Sequence, residues 1–284
     1  MALASALLLA GCSLFPTTRH LPVPKAPPVV QTAAPQELVK GLDDRWNALR
    51  TLTATVEIQA TALKSSTGLE RDYPSCRGWI VLQKPKMLRV LGKYFGVTIF
   101  DMASDGNRFT LVMPTKSLAI EGSNAVREKS DNQWENLRPD FFLDALEVRG
   151  LEPDDVYMVA GDTETVEDAA KKHLFIEPEY VLSIMRRKTE HENLPARVVT
   201  LHRDDLLPYA QDVYDSEGNL ETQISYSNYA VFSAGKYPSK VTIKRPQEGI
   251  QLVLTVERVE ENVDLPDYEF QVKIPDGSKI QKLK

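Results

Sequence analysis

Apolar residues recur with a helical period in the first part of the chain that has a regular pattern. In the segment PQELVKGLDDRWNALRTL, apolar side chains at Leu38, Leu42, Trp46 and Leu49 form one stripe, and charged side chains occupy the other positions. Apolar residues three or four positions apart lie on one face of a helix. The segment therefore predicts an amphipathic helix with one face to bury.

From about residue 52 the period changes to two. In TATVEIQA, Val56 and Ile58 alternate with Glu57 and Gln59, which predicts a strand with one face in water. The runs GWIVLQKP, MLRVLG, VTIFDMAS and RFTLVMP follow after short turns such as Asp105-Gly106. Because strands joined by short turns pair antiparallel, we expect a meander.

A second helix is predicted within ENLRPDFFLDALEV. Pro139 suits a first helical turn, and Phe142, Leu143 and Leu146 follow at helical spacing. Further strand patterns continue to IQLVLTVERV, which gives about eleven strands and two helices. A sheet of this size is expected to curl.

Several strands are apolar on both faces, for example residues 79–82 and 252–254. One face can pack against the helices. The other face indicates either a closed core or an apolar cavity for a ligand, and periodicity alone leaves both alternatives open.

The N-terminal LLLAGC is similar to the lipobox of bacterial lipoproteins, which predicts that Cys12 becomes the lipidated first residue after removal of residues 1–11. The apolar run before Cys12 is too short to cross a bilayer. No positive charge precedes Cys12, which suggests a start upstream of Met1; the alternative is an ordinary apolar N-terminus. In enterobacterial lipoproteins, an aspartate directly after the lipidated cysteine retains the protein at the inner membrane. This chain has Ser13 at that position, which favours the outer membrane as its destination.

Residues 12–35 are proline-rich and lack an amphipathic period, which predicts an extended, solvated linker between the anchor and one domain at 36–284. The net charge of −6 disfavours nucleic acid as a partner. With Cys12 lipidated, Cys76 has no disulfide partner; we expect a half-buried strand cysteine, the alternative being a nucleophile.

The sequence contains no recognisable catalytic motif. It lacks GxSxG, GxxxxGK and HExxH, and its four histidines are scattered. The acidic stretch DVYDSEGNLE does not have the spacing of a calcium loop and predicts a hairpin. We therefore expect a protein that is not an enzyme and that needs neither a cofactor nor a metal.

The order of these motifs resembles the LolA/LolB superfamily of lipoprotein carriers and receptors. The resemblance covers nearly all of residues 36–284, and the lipobox makes the chain more similar to the membrane-tethered receptor LolB. It rests on the N-terminal helix, TATVEI, Lys84-Pro85, Arg89, the SDG turn at 104–106, VMP at 112–114, and the distal PSKVTI and GIQLVLTVERVEEN.

The resemblance implies an α+β fold, in which a curved antiparallel sheet forms an unclosed half β-barrel capped by two or more helices. Its apolar cavity would take the acyl chains of lipoproteins or lipids and assist their transfer to the membrane, with a periplasmic carrier protein as a possible partner. The positions expected to line the cavity are Val56, Ile58, Ile80, Leu82, Val90, Leu111, Phe142 and Leu146. The alternative function is a non-catalytic envelope scaffold or sensor whose barrel is filled by its own side chains.

The resemblance also indicates a membrane-insertion loop. LolB has an exposed apolar loop with a glycine between two strands, and Phe95-Gly96 occupies the matching place, flanked by Tyr94 and Val97. An aromatic side chain suits the membrane interface. The alternative is that Phe95 folds back into the core.

One position departs from the family pattern. Lys84 stands where LolA has an arginine that bonds to the backbone of its lid. Lysine lacks the planar donor fork of arginine, which argues against a LolA-type gate. The simpler expectation is an exposed lysine at a strand end.

Overall fold

The computed structural model describes residues 23–27, 29–64, 68–124, 138–167, 173–233 and 235–283. Cys12, its preceding segment and the first part of the linker lie outside these residues. The helices are α1 (Pro35–Ala48) and α2 (Pro139–Leu146). The strands are β1 (Thr51–Lys64), β2 (Leu69–Asp72), β3 (Cys76–Gln83), β4 (Met87–Tyr94), β5 (Val97–Ser104), β6 (Arg108–Met113), β7 (Leu118–Ser123), β8 (Asp155–Glu167), β9 (Leu174–Arg187), β10 (Asn193–His202), β11 (Pro208–Tyr214), β12 (Leu220–Phe232), β13 (Gly235–Arg245), β14 (Ile250–Glu261) and β15 (Lys279–Lys282).

All of these strands belong to one sheet that does not close. Its order is β15-β7-β6-β5-β4-β3-β1-β14-β13-β12-β11-β10-β9-β8, and β2 pairs with the end of β1. The α+β class and the open, curved sheet are confirmed. The expected eleven strands are too few, because the described residues contain fifteen.

Strand β1 joins two meanders into this sheet. Strands β3 to β7 and strands β8 to β14 each follow one another in sequence, and β1 pairs with β3 on one side and with β14 on the other. The ladder between β1 and β14 extends from Leu52 opposite Glu261 to Ala62 opposite Ile250, with a bulge at Thr55 and Val56. Between these strands every pairing is antiparallel, as the expected meander requires, except that of β15 with β7. The sequence pattern does not predict strand β15.

Helix α2 is held against the inner face of the sheet by hydrogen bonds to its last turn. The backbone carbonyl groups in the last turn of a helix have no hydrogen-bond donor within the helix. The hydroxyl of Tyr237 donates a hydrogen bond to the backbone carbonyl of Leu146 at 2.7 Å. The side-chain amide of Gln211 donates one to the backbone carbonyl of Asp144 at 2.8 Å. Since α2 also buries Phe141 and Phe142, it forms part of the main core.

Helix α1 begins where Pro35 follows Ala34, whose N–H donates to the Glu37 carboxylate at 2.7 Å. Its buried face carries Leu38 and Leu42, as the apolar stripe predicts. The helix lies beside the segment after α2, because Asp43 accepts the Leu151 N–H at 2.9 Å. None of the described helices is both long enough and apolar enough to span a membrane.

Part of the predicted linker is bound to the domain. Lys25 forms a parallel bridge to β9, donating to Leu174 and accepting from Ile176, each at 2.8 Å. Further along, the Gln31 N–H donates to the Arg203 carbonyl at 2.6 Å. The expected solvated spacer is therefore wrong for Lys25 and Gln31, since a regular pattern of side chains is not needed for backbone pairing.

Leu82→Ala tests whether the inner face of β3 carries the stability of the sheet. Leu82 is almost fully buried in the main core, so we expect a loss of about 2–5 kcal/mol in the free energy of unfolding in urea. Met158→Ala on the exposed edge strand β8 is the control, with an expected change below about 0.5 kcal/mol. Equal losses in both variants would contradict this assignment.

Candidate functional site

An apolar cavity of about 260 Å³ lies between the sheet and α2. Its wall comes from strands β1, β3, β5, β6 and β14. Strand β1 pairs with β3 and β14, and β4 connects β3 to the neighbouring pair of β5 and β6. The helix contributes Phe142 from the opposite side. The apolar side chains of the wall include Ile58, Met102, Leu111, Met113 and Leu252.

The cavity opens at one end of these strands. Tyr73 and Pro74, which precede β3, and Thr115 and Lys116, which follow β6, line this part of it. Pro74, Thr115 and Lys116 are exposed, whereas the wall residues deeper in the cavity are mostly buried. We call the part bordered by these four residues the mouth.

The structure separates the expected lining residues into three groups. Ile58, Leu111 and Phe142 line the cavity. Leu146 lines a second cavity, described below. The remaining four belong to the packed core without lining the first cavity: Val56, Ile80, Leu82 and Val90.

Four further residues line the cavity although the sequence pattern does not predict them there: Ile99, Phe100 and Met102 of β5, and Leu252 of β14. The sequence segments that contain these residues are apolar on both faces of the strand, and this feature could have indicated that they border a cavity. The cavity occupies only the end of the strands near its mouth, and the position along a strand that remains unfilled depends on where α2 packs. The alternation of apolar and polar side chains along a strand does not indicate which position remains unfilled.

Cys76 lies in the cavity wall at the start of β3. It is fully buried, not half-buried as expected, and its thiol is free. Desolvation by burial, and then the charge of Glu57, raise the pKa of this thiol to about 11. A thiol with so high a pKa is a poor nucleophile at neutral pH, which argues against a catalytic cysteine.

Phe95 forms the tip of the hairpin between β4 and β5. Its side chain is 90% exposed, so it does not fold back into the core, and its ring contacts Tyr94 edge-on at 4.6 Å between centroids. Both turn residues have positive φ, 46° at Phe95 and 83° at Gly96, as a type I′ turn requires. A phenylalanine is strained in this conformation, so packing does not explain its presence there.

The Phe95 hairpin lies at the same end of the strands as the cavity mouth. Lys93, two residues before the tip, is opposite Thr98 of β5. On the next strand, Val112 is opposite Asp101, so Met113 and the mouth residue Thr115 continue toward the tip. An exposed apolar tip and the opening of an apolar cavity thus lie side by side.

Lys84 connects the β3–β4 turn to the end of α1. Its ammonium group donates a hydrogen bond to the carbonyl of Trp46 and lies 4.0 Å from the centroid of the Trp46 ring. The expectation of an exposed lysine is therefore wrong. Desolvation by burial lowers the pKa of Lys84, opposed by the charge of Glu147.

A second cavity of about 230 Å³ lies beneath α1 and contains ionisable groups. Glu147, directly after α2, lines it together with Glu261 of β14 and Arg45 of α1. Desolvation by burial and then repulsion from Glu261 raise the pKa of Glu147 to about 8, although Arg45 and Lys84 act in the opposite direction. A carboxyl group is therefore largely protonated at neutral pH under this helix.

The described residues do not form a metal site. No group of three or more His, Cys, Asp or Glu side chains among them is arranged to hold a metal ion. In the acidic stretch between β11 and β12, the Asp215 carboxylate accepts the N–H groups of Glu217 and Asn219, both at 2.9 Å. This arrangement is that of a hairpin turn.

Solved structures with the same architecture include two bacterial proteins. A LolA superfamily protein from Nitrosomonas europaea is 16% identical and has a TM-score of 0.50, with 85% of this chain and 99% of that chain covered. The chain has a LolA-like fold. A DUF1329 family protein from Desulfovibrio piger is 17% identical, with a TM-score of 0.51 and coverage of 83% of this chain and 95% of that one. No protein-family model and no curated protein matches the sequence.

Glu147→Gln tests the ionisation of the second cavity. Glu147 has a higher pKa in the folded chain than in the unfolded chain, so unfolding releases its proton between about pH 4.5 and 8. We therefore expect the free energy of unfolding to decrease as the pH rises through this range. Glu147→Gln should reduce this decrease in urea titrations at several pH values, whereas Glu190→Gln, an exposed control, should leave it unchanged.

Proposed function

We propose that this protein is a lipid-anchored protein of the bacterial envelope that binds acyl chains in the cavity beneath α2 and assists their transfer to a membrane. The single observation that carries the proposal is the apolar cavity with its open mouth. A hydrocarbon chain in water costs about 0.8 kcal/mol per CH₂, and an apolar wall removes that cost. Transfer then requires only a difference in affinity between the donor, the cavity and the target membrane.

The cavity is lined mainly by apolar side chains and is open at one end, which suits a hydrocarbon chain. Its volume of about 260 Å³ is just below the range of roughly 300–1,000 Å³ common for small-molecule sites. The mouth bears Thr115 and Lys116, so a chain inserted from that end would leave its polar headgroup in water. Acyl chains of lipoproteins and of phospholipids both meet this requirement.

The scaffold alternative receives less support. It requires a barrel filled by its own side chains, and the end of the sheet around Ile58, Met102 and Leu252 is open. A non-enzymatic function agrees with the inert Cys76 and with the structural role of Asp215.

The membrane contacts in this proposal are the lipidated Cys12 and the hairpin of Tyr94, Phe95 and Val97. All three hairpin side chains are exposed, and an aromatic and aliphatic tip is suited to the membrane interface. The anchor would hold the chain at the outer membrane, facing the periplasm, where a soluble carrier could deliver cargo. The hairpin would bring the cavity mouth to the lipid surface.

Ala60→Phe tests the cavity, because Ala60 lies in its wall and a benzyl group there would fill part of the space. We expect the dissociation constant of dansyl-undecanoic acid to increase at least tenfold, or about 1.4 kcal/mol, in fluorescence titrations of the mature chain from Ser13 onward. Ala160→Phe, at an exposed position of β8, is the matched control. Binding that is unaffected by Ala60→Phe would rule out this cavity.

Phe95→Glu tests the hairpin in cells. A carboxylate at the tip opposes entry into the lipid interface, so we expect lipoproteins or lipids to accumulate at the inner membrane in fractionated envelopes. Val231→Glu is the matched control, because Val231 is 86% exposed near the tip of another hairpin, between β12 and β13. Unchanged sorting in Phe95→Glu, or equal defects in both variants, would eliminate the insertion step.

A further inference from the structure

Three lysines lie at the end of the sheet where the cavity opens. Lys93 is near the end of β4, and its partner across the ladder is Thr98 of β5. Lys116 follows β6 and lines the mouth itself. Lys279 begins β15, and its N–H donates to the carbonyl of Ser117 at 2.8 Å, so its backbone is adjacent to the Lys116 turn.

These lysines are free to meet a ligand from outside. Within the described part of the chain, none of the three has a salt bridge within 4.0 Å, whereas Lys40, Lys188 and Lys236 each pair with a carboxylate. The chain as a whole has a net charge of −6, so a cluster of unpaired cations differs from its average surface. The nearby carboxylates are Asp276, which precedes Lys279 in the same turn, and Glu70 and Asp72 of β2.

An aromatic side chain lies beside Lys93 on the outer face of the sheet, the face opposite the cavity. Lys93 lies 5.4 Å from the centroid of the Trp79 ring on the neighbouring strand, and Arg77 lies 5.7 Å from it. The Arg77 charge is partly compensated by Glu257, 3.1 Å away. Trp, Lys and exposed Phe together are the composition found where proteins meet the lipid headgroup region.

We infer that Lys93, Lys116 and Lys279 form a docking surface for anionic lipid headgroups, which seats the cavity mouth on an acidic bilayer. The inference rests on the proposed function and adds to it the chemistry of the target membrane. Phosphate groups would contact the three ammonium groups while the Phe95 side chain enters the interface between them. The exposed apolar tip favours a bilayer over an acidic protein, because a bilayer offers negative charge and hydrocarbon at the same place.

Vesicle binding tests this inference with the mature chain from Ser13 onward, which lacks the lipidated cysteine. One set of vesicles is phosphatidylcholine alone, and the other is phosphatidylcholine mixed with phosphatidylglycerol. We expect cosedimentation to prefer the mixed vesicles and to weaken with added salt, because the screening length falls from about 8 Å at 0.15 M to about 3 Å at 1 M.

A triple variant, in which Lys93, Lys116 and Lys279 are replaced by Gln, isolates the surface. Each lysine near an anionic bilayer strengthens binding by about fivefold, so we expect a loss on the order of a hundredfold on mixed vesicles. The control is a triple variant with the same change in net charge at Lys40, Lys188 and Lys240, and its loss should be small. Dansyl-undecanoic acid binding should remain unchanged in the double variant of Lys93 and Lys279, because neither residue lines the cavity. This measurement separates the docking surface from the cavity.

Two results would overturn the inference. One is equal binding of the unmodified chain to both kinds of vesicle. The other is an equal loss in the two triple variants, since this would attribute the effect to net charge. If fatty acid binding persisted in either case, the docking surface would be refuted while the cavity remained supported. If the chain bound no fatty acid, the proposed function would fail independently of the vesicle result.

Discussion

The inner face of this sheet is larger than the described helices can cover. Fifteen strands form one curved layer, and the helices packed inside it have 14 and 8 residues. Apolar surface that is neither covered nor in water must border a cavity or take up a ligand. Since β11 to β13 hold the last turn of α2 through Gln211, Tyr226 and Tyr237, the helix covers one part of the sheet and leaves the end near Ile58 and Leu252 open.

The features that concern a membrane collect at that open end. The β4–β5 turn holds Phe95 in a strained conformation and directs its ring outward, beside the mouth. Three lysines without a salt bridge to the described residues lie at the same end of the sheet, and acidic residues predominate in the chain as a whole. At the far side of the sheet, the docked Lys25 segment leaves at most residues 13–24 as a spacer from Cys12, a length of roughly 40 Å if fully extended. In the proposed function, the anchor and the mouth would therefore approach the membrane from different parts of the sheet.

The sequence predicted the elements correctly where a local pattern of residues is compatible with only one type of secondary structure. The apolar stripe of α1 and Pro139 at the start of α2 located both helices, and alternation located the long strands. Prediction failed for β2 and β15, whose residues are mostly exposed and which therefore lack an apolar face to detect. It also failed for the short strand β7, which follows β6 after a single turn. The parallel pairing of β15 with β7 joins distant parts of the chain, and no short turn indicates it.

Local patterns in the amino-acid sequence were sufficient to locate both helices, the long antiparallel strands, the turn at Phe95-Gly96 and the surplus of apolar residues on strands such as β3 and β5. These follow from local periodicity and turn chemistry, which act within a few residues. The three-dimensional packing set the rest: β1 joins the two meanders, the Phe95 side chain is exposed, and Ile58 and Phe142 border open space while Leu82 and Val90 are packed. It also places Lys93, Lys116 and Lys279 at one end of the sheet. Those outcomes depend on how far the sheet curls and where α2 is bound, and both are set by contacts between residues far apart in the chain.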